Sequence, residues 1–194
     1  MNRATLKVRK CSACRDPFMQ QRSMQKVCSP LCAEKDAEAR RLKQEAARAR
    51  DERKQDRATR ESRKTLPELI AEADTAFQAF IRERDRQAGH LCISSGQPLD
   101  WSGNKTDAGH YRSKGAASHL RYNEDNCHAQ TKQENRFKAG NAVDYRIHLI
   151  ARIGLARVEA LETSNAPHKW QKDEVRAIRD HYRARLKQLK REAK

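Results

Sequence analysis

Long apolar runs are missing from this chain. Nowhere in its 194 residues do 18 apolar residues follow one another, which leaves nothing to cross a bilayer as a helix. The segment Met1 to Lys10 is basic and lacks the apolar stretch of a secretory signal, so a cytoplasmic location is expected. Hydrophobic residues are scarce as well, at 37% against 35% charged. Any core is therefore modest, and much of the chain must lie in solvent. No internal repeat at a solenoid period is found, which excludes a stacked-repeat architecture.

What is abundant is positive charge. A formal charge of +16 and an isoelectric point near 9.9 attract polyanions, and binding by phosphate neutralisation weakens steeply with salt. Nucleic acid is the natural partner, although basic ribosomal and membrane-surface proteins share the signature. Six cysteines in a reducing compartment read as metal ligands or free thiols rather than disulfides. Four of them, Cys11, Cys14, Cys28 and Cys32, form a C-x2-C pair, a gap of thirteen residues and a C-x3-C pair. Thiolates so spaced close tetrahedrally on one structural Zn2+, with a small hairpin between them and Pro17 and Phe18 over the site. A redox Cys-x-x-Cys would leave the second pair unexplained and calls for a βαβ setting that is not there.

From Ala33 to Lys64 there is neither Gly nor Pro, and twelve basic residues face eight acidic ones. This predicts a long solvated helix held by i,i+4 pairs, with a DNA-tracking role as the sharper alternative. Thr65-Leu66-Pro67-Glu68 reads as a capping box opening a helix with Leu69, Ile70, Ala73, Phe77, Phe80 and Ile81 on one face. Turn residues Gly96, Pro98, Gly103, Asn104 and Gly109 then mark a short hairpin. Further helices are expected through Val143 to Ile153, through Leu155 to Leu161, and from Asp173 to Lys194 with Val175, Ile178, Tyr182, Leu186 and Leu189 on one side. The expected fold is α+β and mostly helical. Its predicted divisions are a four-cysteine, zinc-finger-like zinc-binding module (1–34), a charged helical linker (35–64), a domain with an HNH-like ββα core (65–165), and a basic C-terminal helix (166–194).

The chemistry concentrates between Asp107 and Lys138. In the HNH (ββα-metal) nuclease motif a histidine ends the first strand, an asparagine follows on the second, and a His or Asn stands nine residues later at a helix start. His110, Asn126 and Asn135 fit those steps. Hydrolysing a phosphodiester needs an activated water and stabilised charge at the phosphate. His110 suits a general base because an ordinary imidazole, with pKa of about 6.5, is largely neutral near pH 7. Asn126 would orient it. Asp107 and Asn135 would offer oxygens to a catalytic Mg2+ or Mn2+, while Arg112, Arg136 and Lys138 would hold phosphates and Tyr111 would stack or pack. Gly109 stands where the motif usually has an acid or histidine. The motif's accompanying zinc knuckle is reduced to Cys92, since Ser95, Thr131 and Glu134 occupy the other three thiol positions. Three outcomes are open: those residues replace metal bonds with hydrogen bonds, Cys92, Cys127, His128 and Glu134 form a mixed site, or the domain is a degraded, metal-free and inactive form. Trp101 and Trp170 read as packing residues rather than base-stacking platforms, and His119, His128 and His148 as structural or exposed.

Phe80-Ile-Arg-Glu-Arg-Asp-Arg86, Cys92-Ile-Ser94, Asp107-Ala-Gly-His-Tyr-Arg112, Leu120-Arg-Tyr-Asn-Glu-Asp-Asn126, Gly140-Asn141 and Tyr145 to Gly154 closely resemble the NinG (Rap) recombination proteins of lambdoid phages. The cysteine module and the basic C-terminal helix resemble that family too. The resemblance implies a phage-encoded, structure-specific endonuclease that acts on Holliday junctions and D-loops in the host bacterial cytoplasm. Phage or host recombination proteins are further candidate partners. Two cuts at a four-way junction make a homodimer attractive. Two other readings stand beside it, a branched-DNA-binding accessory protein without catalysis and a zinc-finger nucleic-acid regulator.

Overall fold

Ser29 and Pro30 begin the first long helix for a local reason. The Ser29 hydroxyl accepts from the Cys32 amide at 3.2 Å, and a proline in the first turn gives up no hydrogen bond there. The resulting helix, α1 (Pro30–Arg63), buries only Cys32. Its Leu42 is 54% exposed, so no packing seam holds it. Pairs one turn apart, Asp36 with Arg40 and Arg41 with Glu45, run along its surface instead. The structure, a computed structural model, describes residues 7–137, 141–166 and 168–193. It divides into two compact units, Met1–Arg63 and Lys64–Lys194. In the first, strands β1 (Val8–Lys10) and β2 (Pro17–Met19) pair antiparallel ahead of α1.

The second unit opens with α2 (Leu66–Gln87). The Glu68 carboxylate accepts from the Thr65 amide and from its hydroxyl, each at 2.7 Å, and these bonds hold Glu68 below its ordinary pKa. Leu69, Ala73, Phe77, Phe80 and Ile81 are almost wholly buried, as the apolar stripe predicts, whereas Ile70 is partly so. Two elements cover that stripe. One is α6 (Lys172–Glu192), whose Val175 and Tyr182 join the same cluster with Ile178, Leu186 and Leu189 against it. The other is a hairpin of β3 (Thr106–His110) and β4 (Cys127–Thr131), antiparallel with Thr106 opposite Thr131 and His110 opposite Cys127. The C-terminal helix thus packs within the second unit. Burying each large side chain contributes roughly 1.5–3 kcal/mol.

Directly after β4 comes α3 (Lys132–Phe137), then α4 (Ala142–Ile153) and α5 (Leu155–Thr163), separated by Gly154 at φ 86°. Their inward residues Tyr145, Leu149, Val158 and Leu161 form a second cluster with Ile93, Ala117 and Leu120. The described residues form a mostly helical α+β fold with two small antiparallel sheets.

A polar clamp fixes the hairpin to α2. Asp85 has no exposed surface. Its carboxylate accepts from the Ala129 amide on β4 at 2.7 Å and from Arg84 Nε at 2.8 Å, with Arg152 Nη1 at 3.7 Å. Arg84 reaches on to the carbonyls of Glu124 and Cys127. Removing one partner of such a set strands the remaining buried charge, so Asp85→Ala is expected to destabilise the second unit by about 3–5 kcal/mol. Urea unfolding followed by Trp101 and Trp170 fluorescence measures it; a loss below about 1 kcal/mol would mean the clamp is dispensable.

Candidate metal and nucleic-acid sites

The four amino-terminal cysteines come together. Their sulfurs all lie within 4.8 Å of one another, with Cys14 to Cys28 at 3.7 Å and Cys28 to Cys32 at 3.6 Å. The β1–β2 hairpin presents Cys11 and Cys14, the start of α1 presents Cys32, and Cys28 precedes it. Burial acts to raise the Cys11 thiol, but the amides of Cys14, Ala13 and Cys28 outweigh it and draw the group down to about 6. Tetrahedral thiolate sets of this kind suit Zn2+. Among the described residues no other group of three or more His, Cys, Asp or Glu side chains converges in this way, so Cys92, Cys127, His128 and Glu134 do not form a mixed site. Instead the Thr131 amide donates to Cys92 Sγ at 3.3 Å, and the Glu134 amide donates to Thr131 Oγ1 at 3.3 Å. Those two hydrogen bonds tie Cys92, Thr131 and Glu134 together.

In the second unit, strand alternation divides the expected constellation. Successive side chains of a strand point to opposite faces. His110 shares its face with Ala108, which lies with Cys127 in the α2 core, and its ring centroid stands 6.0 Å from that of Phe77. Asp107 and Gly109 face the other way. There Asn135, on α3, donates from Nδ2 to Asp107 Oδ2 at 3.1 Å, and exposed Arg136 approaches the same oxygen at 3.4 Å. Lys138 lies outside the described residues.

Gly109 has a steric purpose at this place. A Cβ there would stand 2.0 Å from Gln130 Oε1 and 3.1 Å from Asn135 Oδ1. Two amide oxygens thus crowd over the glycine, beside the carboxylate of Asp107. Gln130 is fully buried and opposite Asp107 in the register, yet nothing in the sequence singles it out. The only signal is the pairing itself, invisible until the hairpin register is known.

His110 and Asn126 take other partners than expected. His110 Nε2 donates to the Arg121 carbonyl at 2.8 Å, leaving Nδ1 to face Cys127 Sγ at 3.9 Å. Burial lowers the His110 pKa and raises that of Cys127, so a neutral imidazole meets a protonated thiol. Asn126, completely buried, does not reach the ring. It accepts from the Arg112 amide at 2.8 Å and donates to the carbonyls of Arg112 at 3.0 Å and Leu120 at 3.2 Å. Arg112 likewise caps α5, donating to the carbonyls of Leu161 and Ser164 and to Asn165 Oδ1. Its guanidinium supports the helix end rather than standing open to phosphate.

The buried His128 is structural, as the sequence suggests. Arg84 donates to its Nδ1 at 3.1 Å, so its proton sits on Nε2, which donates to the Asp125 carbonyl at 3.1 Å. Burial first, and then the Arg84 charge, push its pKa down to about 3.

The fold and these sites define a basic, mostly helical α+β protein with a clustered four-cysteine module. The family described as Bacteriophage Lambda NinG protein matches residues 3–192, and the chain belongs to that family. It is 44% identical over 123 residues to Protein ninG of Salmonella phage P22 and, to the same extent, to Protein ninG of Escherichia phage lambda. Each match covers 62% of this chain and 57% of the relative, so the aligned part spans little more than half the length of those relatives. No solved structure matches. Among the described residues no helix is long and apolar enough to cross a membrane.

Elemental analysis is expected to find about one zinc per chain, lost in Cys14→Ser; a full zinc content in that variant would rule out the cysteine cluster as its site. A second measurement concerns pH. Because folded His128 stays neutral down to about pH 3 while an unfolded imidazole protonates near 6.5, stability falls as pH drops through that window, by up to roughly 1.4 kcal/mol per unit. His110, lowered by burial, adds in the same direction. His128→Gln is expected to flatten the pH dependence of the urea midpoint between about pH 6.5 and 3, and an unchanged slope would contradict the buried neutral imidazole.

Proposed function

We propose that this chain is a divalent-metal-dependent endonuclease for branched DNA, such as Holliday junctions and D-loops, in phage recombination. One observation carries the reading. In the order strand, strand, helix, the Asp107 carboxylate meets the Asn135 amide at 3.1 Å, with the amide oxygens of Asn135 and Gln130 over the space that Gly109 leaves open. Hard oxygens in that number fit Mg2+ or Mn2+, which keeps other positions for water and phosphate. Such an ion, when bound, polarises a phosphoryl oxygen and steadies the departing alkoxide. Asp107 and Asn135 would hold it, Gly109 lets the amides approach, and exposed Arg136, which stands beside Asp107, would take a phosphate oxygen. The net charge of +16 draws the polyanion in.

His110 favours a second reading, branched-DNA binding without incision. Its acceptor nitrogen faces a buried thiol and sits on the sheet face opposite Asp107, which suits a structural histidine better than a base for water.

Incubating labelled junction, flap and linear duplex with Mg2+ or Mn2+ separates the two. Metal-dependent cutting of the branched substrates, reduced at least about 100-fold in Asp107→Ala and Asn135→Ala, is the expected result. If His110→Ala cuts normally while those two do not, the metal site stands and the imidazole is not the base. Tight junction binding with no incision by the unaltered chain would establish the accessory role instead.

A further inference from the structure

Trp101 and Trp170 differ in what surrounds them. Trp170 packs edge-on against Tyr122, ring centroids 4.9 Å apart, beside the α2 core. Trp101 belongs to neither core cluster and has no ring partner among the described residues. It is half-buried on the wall of a cavity of about 190 Å³, lined by Arg82, Glu83 and Arg86 of α2, by Lys190 and Leu186 of α6, and by Thr106. Three cations therefore surround one carboxylate, and that carboxylate is already engaged. Glu83 accepts from Arg86 Nη2 at 2.6 Å and Nε at 3.0 Å. Arg86 is the cation bonded directly to Glu83, while Lys190 acts on it only through its charge.

The loop that carries Trp101 is held in place. Asp100 Oδ1 accepts from the Ser102 amide at 2.8 Å, Asp100 Oδ2 pairs with Lys105 at 2.6 Å, and Thr106 Oγ1 donates to the Asp100 carbonyl at 2.7 Å. Gly103 supplies the left-handed turn at φ 60°. An indole on a pinned loop lines a small recess with Arg82 and Lys190, the latter close enough for its charge to act on Glu83, so the site is arranged before any ligand arrives.

We propose that this cavity binds one unstacked nucleotide of a single-stranded stretch of DNA, its base against Trp101 and its phosphate between Arg82 and Lys190. The volume is below that of ordinary small-molecule sites, roughly 300–1,000 Å³, and admits part of one nucleotide rather than a duplex. Stacking on an indole accepts any base, because every base has a π-face, and the basic rim follows the backbone. A paired base has both faces covered and gains nothing here. Thr106 and Asp107 are neighbours on β3 but face opposite sides of the hairpin, so the cavity lies on the α2 side and is separate from the oxygens of the proposed cation site. The inference rests on the reading of this chain as a protein of branched DNA, and it does not require that the DNA be cut.

The test compares binding of the full chain, by fluorescence anisotropy in Mg2+-free buffer, to a junction with unpaired nucleotides at the branch point and to its fully paired counterpart. Trp101→Ala is expected to weaken the first roughly 5- to 100-fold and the second by less than about two-fold, with Trp101→Phe restoring most of the loss. Lys190→Gln is expected to lower the salt slope for the unpaired junction by about 0.7. Equal losses on both junctions, no loss on either, or Trp101→Phe as weak as Trp101→Ala would overturn the proposal. Incision in Mg2+ is scored separately on the same junctions, so a failure of the cleavage reading shows as lost cutting and a failure of this one as a lost Trp101-dependent preference in Mg2+-free binding.

Discussion

Asp85 is the point on which the second unit turns. Its carboxylate lies out of water and is satisfied by an amide of β4 and a guanidinium of α2. A buried charge of this kind tolerates little displacement, because each bond lost leaves an uncompensated ion in a medium of low polarity. The clamp therefore fixes where the hairpin lies on α2 and which residues of β4 face it. Once Ala129 is pinned by its amide, pairing opposite Ala108 sets the neighbours on both strands, and a slip by one residue would reverse every side chain.

That register decides the chemistry available. Asp107, Gly109 and Gln130 look away from α2 toward α3, where Asn135 completes a gathering of oxygens. His110 and Cys127 look into the aromatic core with Phe77. Histidine, asparagine and aspartate close in sequence are thus distributed over two faces of a two-stranded sheet. Hydrogen bonds then hold the scaffold behind them. Asn126 fastens the main chain at Arg112 and Leu120, and Arg112 closes the end of α5. Conspicuous polar residues here hold the backbone from which others reach outward.

Much of the architecture was legible in the sequence, where local rules suffice. The Thr65 to Glu68 capping box and the stripe from Leu69 to Ile81 mark α2 because both depend on residues within a few turns of one another. The cysteine spacing foretold a converging cluster because a hairpin brings short-range pairs together with little freedom. The stripe on α6 was legible for the same reason, and its partner was found in the matching stripe of α2. Illegible were the partners of Asn126 and Arg112, the part taken by Gln130, and the difference between Trp101 and Trp170. Each depends on residues far away in the chain, and a side chain's donors and acceptors are the same whether it meets a ligand or a distant carbonyl.

By itself, then, the sequence determined the family, the basic charge, the helices and the grouping of four thiols, since these follow from composition, periodicity and short spacing. Tertiary structure alone decided which oxygens meet over Gly109, that the imidazole of His110 turns to the core, and that one tryptophan is left to line a cationic recess. The physical reason is the pleat of a strand: a neighbour in sequence lies on the opposite face in space, and only the register and the packing of the sheet determine which face carries the site.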